Sequence, residues 1–174
     1  MVCEYWDMSF GGRLLVATPL ITDPHFFHTV VYLYAHDPDE GAAGVVLNRP
    51  TEEPTVEHLP GWRSHLAAPP NIFWGGPVAE ANGLVLLVAD GEVRLADDLD
   101  PPMDTVRARL FVGQAGWAPG QLEAEIAEGA WVVTDPLPDD IVSPFPDRLW
   151  SRVLRRVGGE AAVWSTHPVD VRMN

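Results

Sequence analysis

The sequence predicts an α+β domain, and three observations carry that prediction. Apolar runs of strand length, rich in β-branched and aromatic residues, cluster along most of the chain. Helical spacing of apolar residues is confined to two longer segments in the second half. The strict strand–helix alternation that a doubly wound sheet requires is absent. The reading is about seven strands with two or three helices. With 174 residues, the chain suits one domain with a sizeable core. Residues 1–11 read as a loosely attached extension, and 12–174 as a single domain.

Taken in order, Leu14-Leu15-Val16-Ala17 is a first short strand, stopped by Pro19. Thr29 to Tyr34 and Ala43 to Leu47 lack polar alternation, which marks strands covered on both faces. The turn chemistry of His36 to Gly41 lets these two pair as a hairpin. A short helix is expected around Val56 to Leu59, followed by a proline-bounded loop. Asn71 to Trp74 and Gly83 to Val88 are strands, residues 96–104 an acidic loop, and Leu110 to Val112 and Trp131 to Val133 further strands.

One helix is expected from Pro119 to Glu128. Proline suits its first turn, Glu123 the positive end of its dipole, and Gly129 a left-handed stop. A second is expected from Pro144 to Val157, with Ser143 as N-cap and Gly158 as C-cap. Its Leu149, Val153, Leu154 and Val157 repeat at helical spacing.

Composition excludes several chemistries. All 11 basic residues are arginine, so a lysine Schiff base and an ordinary P-loop are both ruled out. The lone cysteine, Cys3, leaves no internal disulfide. No apolar run approaches the ~20 residues of a membrane helix, and no secretory signal opens the chain. These features favour the cytoplasm. The net charge of −14 repels phosphate backbones and anionic lipid.

Three motifs at strand ends form the candidate ligand site. The first runs from Phe111 to Glu123 and reads as a glycine-rich turn between a strand and a helix. Gly113, Gly116 and Gly120 free the backbone to offer amides to an anion, with Gln114, Trp117 and Gln121 as neutral donors or stacking groups. The same glycines equally serve a tight turn and close helix–sheet packing. The second motif is Gly75-Gly76-Pro77, an unusual turn that brings backbone near either a ligand or another strand. The third is Asn48-Arg49, a hydrogen-bond donor beside an anion clamp, unless Arg49 pairs with one of the many acids.

Other constellations are weaker. His25 and His28 are three residues apart, yet no metal motif completes them, so neither a metal nor a cofactor is expected. His25, His28, Arg49 and Glu123 are the titratable candidates should the chain be an enzyme. Arg148, Arg152, Arg155 and Arg156 form a basic stripe, the one feature suited to nucleic acid. It reads as well as a solvated face, or as the partner of Asp97, Asp98 and Asp100.

Several of these segments together resemble the AlgH/YqgE family of small bacterial proteins. They are Gly12 to Pro19, Asp23 to Phe26, Thr29 to Val31, Gly44 to Pro50, Gly75 to Val78 and Gly113 to Glu123. The resemblance covers roughly residues 12–163. It implies a mixed sheet curled into a partial barrel and flanked by two or three helices. Gln114 departs from an aromatic residue expected there, so a pocket built around that position differs. Members often carry a transcriptional-regulator label without an established DNA-binding motif. The expectation is a non-enzymatic cytoplasmic binding or regulatory module for a small molecule or a protein. An enzyme using the same cleft and a DNA-contacting regulator are the alternatives. Direct nucleic-acid contact and a membrane are disfavoured, while the prolines and tryptophans leave room for a homodimer.

Overall fold

The computed structural model describes residues 9–168. The strands are β1 (Leu14–Ala17), β2 (Val30–Asp37), β3 (Gly41–Val46), β4 (Pro50–Pro54), β5 (Asn71–Trp74), β6 (Val78–Ala89), β7 (Glu92–Leu95), β8 (Arg107–Trp117) and β9 (Trp131–Thr134). The helices are α1 (Gln121–Ala127), α2 (Pro138–Ile141), α3 (Pro146–Val157) and α4 (Gly159–Trp164). All nine strands join one mixed sheet, ordered β4-β5-β8-β3-β2-β1-β9, with β6 pairing β8 and β7 pairing β6. The path ends at β9 without closing, so the sheet is a curled, open structure.

Both faces are covered along β1, the first half of β2 and the end of β3, which explains why those runs lack polar alternation. Leu14 and Val16 of β1 pack with Trp150, Val153 and Leu154 of α3. Leu15 and Ala17 point the other way, to Trp117, Leu122 and Trp131. A third cluster gathers Trp62, Ile72, Val85, Leu87 and Leu110 at the β6 end. Burying each such aliphatic side chain contributes about 1.5–3 kcal/mol relative to leaving it in water.

Strand β8 holds the two halves together. It lies antiparallel to β6 and β3 and parallel to β5, and β5–β8 is the parallel pair of the sheet. Gly113 has a φ of +74. That left-handed residue resets the alternation of the strand. Phe111 packs under α3, whereas Ala115 and Trp117, of the same parity, pack in the opposite core.

Several elements differ from the sequence expectation. The strand expected over Leu110–Val112 runs on through Gly113, Gln114, Ala115, Gly116 and Trp117, so most of the glycine-rich turn is strand. Cross-strand hydrogen bonding to β3 and β6 outweighs the weak strand propensity of glycine. Helix α1 begins at Gln121, after a left-handed Gly120 (φ +79), and excludes Pro119. Gly129 (φ +81) follows its end, as its lack of a Cβ allows.

Helix α3 begins at Pro146, and Ser143 is buried instead of capping it. The segment around Val56–Leu59 forms two 3₁₀ turns, Thr55–Glu57 and Pro60–Trp62, because prolines flank it. Strands β4 and β7 and helices α2 and α4 were not visible as periodic runs, being short and polar or proline-rich. Within the expected loose extension, Phe10 N–H donates to His36 Nδ1 at 3.1 Å and Gly11 N–H to Ser9 Oγ at 3.2 Å. Cys3 lies outside the described residues.

Candidate functional site

The structure divides the predicted site residues into three sets. Gly75, Gly76 and Gly113 form a backbone crossing. A Cβ on Gly75 would lie 2.4 Å from the Gly113 carbonyl oxygen. One on Gly76 would lie 2.2 Å from the Gln114 carbonyl carbon, and one on Gly113 2.2 Å from the Gly76 oxygen. The space these glycines leave is filled by chain, and Gly75 N–H donates to the Val112 carbonyl at 2.7 Å. Pro77, half-buried, follows the crossing. Gln114 accepts a hydrogen bond from the Tyr34 hydroxyl. Gly113 and Gln114 border a cavity of about 210 Å³ beside Ala79, Asn82 and Leu84.

Asn48 and Arg49 form the second set, and both are committed to the loop before β2. Asn48 Oδ1 accepts from Val30 N–H at 3.0 Å, and its Nδ2 donates to the His28 carbonyl at 2.8 Å. Arg49 donates to the carbonyls of Pro24 (2.7 Å) and Phe27 (2.9 Å) and lies 5.5 Å from the Trp74 ring centre. Its hydrogen-bond partners are thus carbonyls and not an acid. Burial lowers the Arg49 pKa, and nearby Asp23 opposes that shift. His25 stacks on the other partner of this clamp, Trp74, at 5.8 Å.

The third set, Gly116, Trp117 and Gln121, lines an open cleft of about 440 Å³. Gly120 stands just outside, and a Cβ added there would meet nothing within 4 Å. The loop clamped by Arg49 supplies the facing wall through Asp23 and Phe26. Phe26, Trp117 and Trp131 meet one another with ring centres 5.8–6.2 Å apart. Glu125 organises the floor. Its Oε2 accepts the indole N–H of Trp117 at 2.9 Å and of Trp131 at 2.8 Å, and its Oε1 accepts from Gln121 Nε2 at 3.0 Å. Sequence reasoning passed over Glu125, Phe26 and Trp131. The spacing of Gln121 and Glu125, one helical turn apart, was the available signal for Glu125. The other two depend on chain packing.

The titratable candidates do not meet in this cleft. His28 is buried between the rings of Phe27 (3.9 Å) and Trp150 (3.7 Å), with its Nε2 3.3 Å from His167 Nδ1. Burial, and secondarily the charge of His167, pull its pKa down to about 4. Glu123 bonds His36 Nε2 at 2.6 Å. Burial raises the Glu123 pKa, but its hydrogen bonds and the His36 charge prevail, and the net shift is downward. Among the described residues, no group of three or more His, Cys, Asp or Glu side chains is placed to hold a metal.

The arginine stripe on α3 turns inward in part. Asp140, 1% exposed, receives Arg156 Nη2 at 2.6 Å and Arg152 Nη2 at 3.2 Å. The acid is Asp140 of α2, and not the expected Asp97, Asp98 or Asp100, because α2 packs beside α3. Arg148 lies over Phe145, 5.6 Å from the ring centre. Arg155 is exposed. Among the described residues, no helix is long and apolar enough to cross a membrane.

Comparison with known proteins adds a consistent result. Residues 14–162 match the family model described as AlgH-like, DUF179. A UPF0301 protein of Thermobifida fusca is 42% identical over 96% of each chain. One of Streptomyces coelicolor is 44% identical over 95% of this chain and 96% of its own. A crystal structure of a Corynebacterium diphtheriae protein superposes with a TM-score of 0.80 at 27% identity, covering 94% of both chains. The solution structure of the AlgH protein from Pseudomonas aeruginosa gives 0.66 at 26% identity, over 97% of this chain and 99% of that one.

Proposed function

The chain belongs to the AlgH-like family, DUF179, and from that premise we propose that it is a non-enzymatic cytoplasmic binding module. The ligand is a small molecule held in the cleft that borders Phe26, Gln121 and Glu125, over the edges of the buried Trp117 and Trp131. One observation carries this reading. The cleft is of ligand size, about 440 Å³, and joins the half-buried Phe26 ring and the edges of Trp117 and Trp131 to a hydrogen-bonded carboxylate at its floor. His25, His28, Arg49 and Glu123 do not line it, and of its two carboxylates Glu125 is held by the indole N–H groups of Trp117 and Trp131. Any regulatory role runs through the ligand or a protein partner. Two arginines of the α3 stripe are already engaged by Asp140, and the chain as a whole carries a net charge of −14.

A thermal-shift screen of metabolites against the protein and its Trp117→Phe and Gln121→Ala variants tests the proposal. The expected result is a compound that raises the melting temperature of the parent and loses that effect in both variants. A stabilising compound whose effect survives both substitutions places the ligand elsewhere and overturns the assignment.

A further inference from the structure

The polar groups that line the Trp117 cleft suit one sign of ligand. Glu125 and Asp23 are in its walls, and no arginine, lysine or histidine is. Each carboxylate has spare capacity. Glu125 accepts three hydrogen bonds from Trp117, Trp131 and Gln121, against roughly four lone-pair sites on a carboxylate. Asp23 Oδ1 accepts from His25 N–H at 2.7 Å, and Oδ2 has no side-chain partner among the described residues. Two amides beside the cleft are occupied, since Ala118 N–H donates to Gln121 Oε1 at 3.1 Å and Gln121 N–H to the Ala118 carbonyl at 3.0 Å. An anion entering here would meet two carboxylates in a protein of net charge −14.

We infer that the cleft takes an organic ammonium ion, its apolar body along Phe26 and the exposed edges of Trp117 and Trp131 and its N–H donors on Glu125 and Asp23. This rests on the cleft being the ligand site proposed above. A carboxylate held by two indole N–H groups is already oriented to receive a cation. A primary ammonium fits better than a quaternary one, because the open sites on both carboxylates are acceptors that need a donor hydrogen.

Three near-isosteric probes separate the possibilities: 2-phenylethylamine as the cation, 2-phenylethanol as the neutral form and phenylacetate as the anion. Each is titrated to millimolar concentration while the indole N–H signals of Trp117 and Trp131 are followed by NMR. The amine is expected to bind about tenfold or more tightly than the alcohol, and more weakly as salt rises. Phenylacetate is expected to leave both signals unmoved. Glu125→Gln and Asp23→Asn should each reduce the preference for the amine over the alcohol. Asp23→Asn keeps the oxygen that accepts from His25, so it reports even if Glu125→Gln unfolds. Equal binding of all three probes, or preference for phenylacetate, overturns the ammonium assignment and leaves the cleft as a ligand site. Indole signals unmoved by every probe overturn both.

Discussion

Gly113 and Gly116 stand on the same strand, β8, and meet opposite surroundings. A Cβ on Gly113 would collide with the Gly76 carbonyl at 2.2 Å, whereas one on Gly116 finds nothing closer than 4.0 Å. The first glycine exists so that two stretches of backbone can cross. The second borders a cleft that the chain leaves open. One glycine-rich segment thus closes at one end and opens at the other. The lesson is that glycine reports a missing side chain, while only the neighbouring backbone decides whether a ligand has room there.

The sharpest way to break this contrast is to place a methyl group at the crossing. Gly113→Ala and Gly76→Ala should each cost about 3–4 kcal/mol, combining overpacking against rigid backbone with a left-handed non-glycine residue. In a domain of this size that lowers the melting temperature on the order of 10 °C. Urea unfolding checks it, and a change below about 1 kcal/mol would mean the crossing yields easily.

Acid discriminates the two regions next. The crossing of Gly75, Gly76, Gly113 and Gln114 has no titratable side chain, whereas the loop behind the cleft carries His28. The folded protein holds His28 neutral, with a pKa near 4 against 6.5 for the ordinary imidazole. The unfolded chain therefore binds a proton that the folded one refuses. The His28 contribution is whole above about pH 6.5, declines as pH falls, and is gone below about pH 4. The loss amounts to about 3 kcal/mol. Unfolding free energies across that window should slope less in His28→Gln than in the parent, and equal slopes would remove His28 as the cause.

Arg49 tests the wall of the open end. Arg49→Ala frees the carbonyls of Pro24 and Phe27 and should cost about 1–2 kcal/mol. Hydrogen exchange in residues 23–28 should quicken while residues 110–114 stay protected. Arg49→Lys should rescue little, because one ammonium cannot reproduce the two-pronged geometry. Uniform loss of protection would show that the two ends are not independent.

The smallest effects are expected at the remaining glycines. Gly120→Ala should cost about 1 kcal/mol, from its left-handed φ alone. Gly116→Ala should stay within about 0.5 kcal/mol. A large penalty at Gly116 in calorimetry would deny the openness of this end.

Some features were legible along the chain because their causes are local. Leu14–Ala17 and Val30–Leu33 are continuous apolar runs, and such runs announce strands buried on both faces. Leu149, Val153 and Leu154 announced the buried face of α3. The site was legible only in part. Gly116, Trp117 and Gln121 do share a cleft, but Gly75, Gly76 and Gly113 bind each other, and Asn48 and Arg49 hold a loop. Glu125, the residue that orders the cleft floor, left no stronger mark than a helical spacing.

Buried charge shows the same division. Arg109 is 2% exposed and has no acid beside it among the described residues. It donates to the carbonyls of Ala68 (2.7 Å) and Ser143 (3.0 Å), lies over Phe73 at 4.1 Å, and its pKa falls to about 10 through burial. Asp140 is as deeply buried, yet has two arginines. No local pattern distinguishes these fates, because their partners lie far away in sequence. By itself the sequence determined the α+β class, the doubly covered strands and the absence of lysine chemistry, all of which follow from composition and short-range spacing. The tertiary structure alone decided that β8 runs through its glycines, that Gly76 fills the space Gly113 leaves, and that Phe26 packs on Trp117 beside a cleft. Those outcomes depend on which distant segments the folded topology brings within a few ångströms of one another.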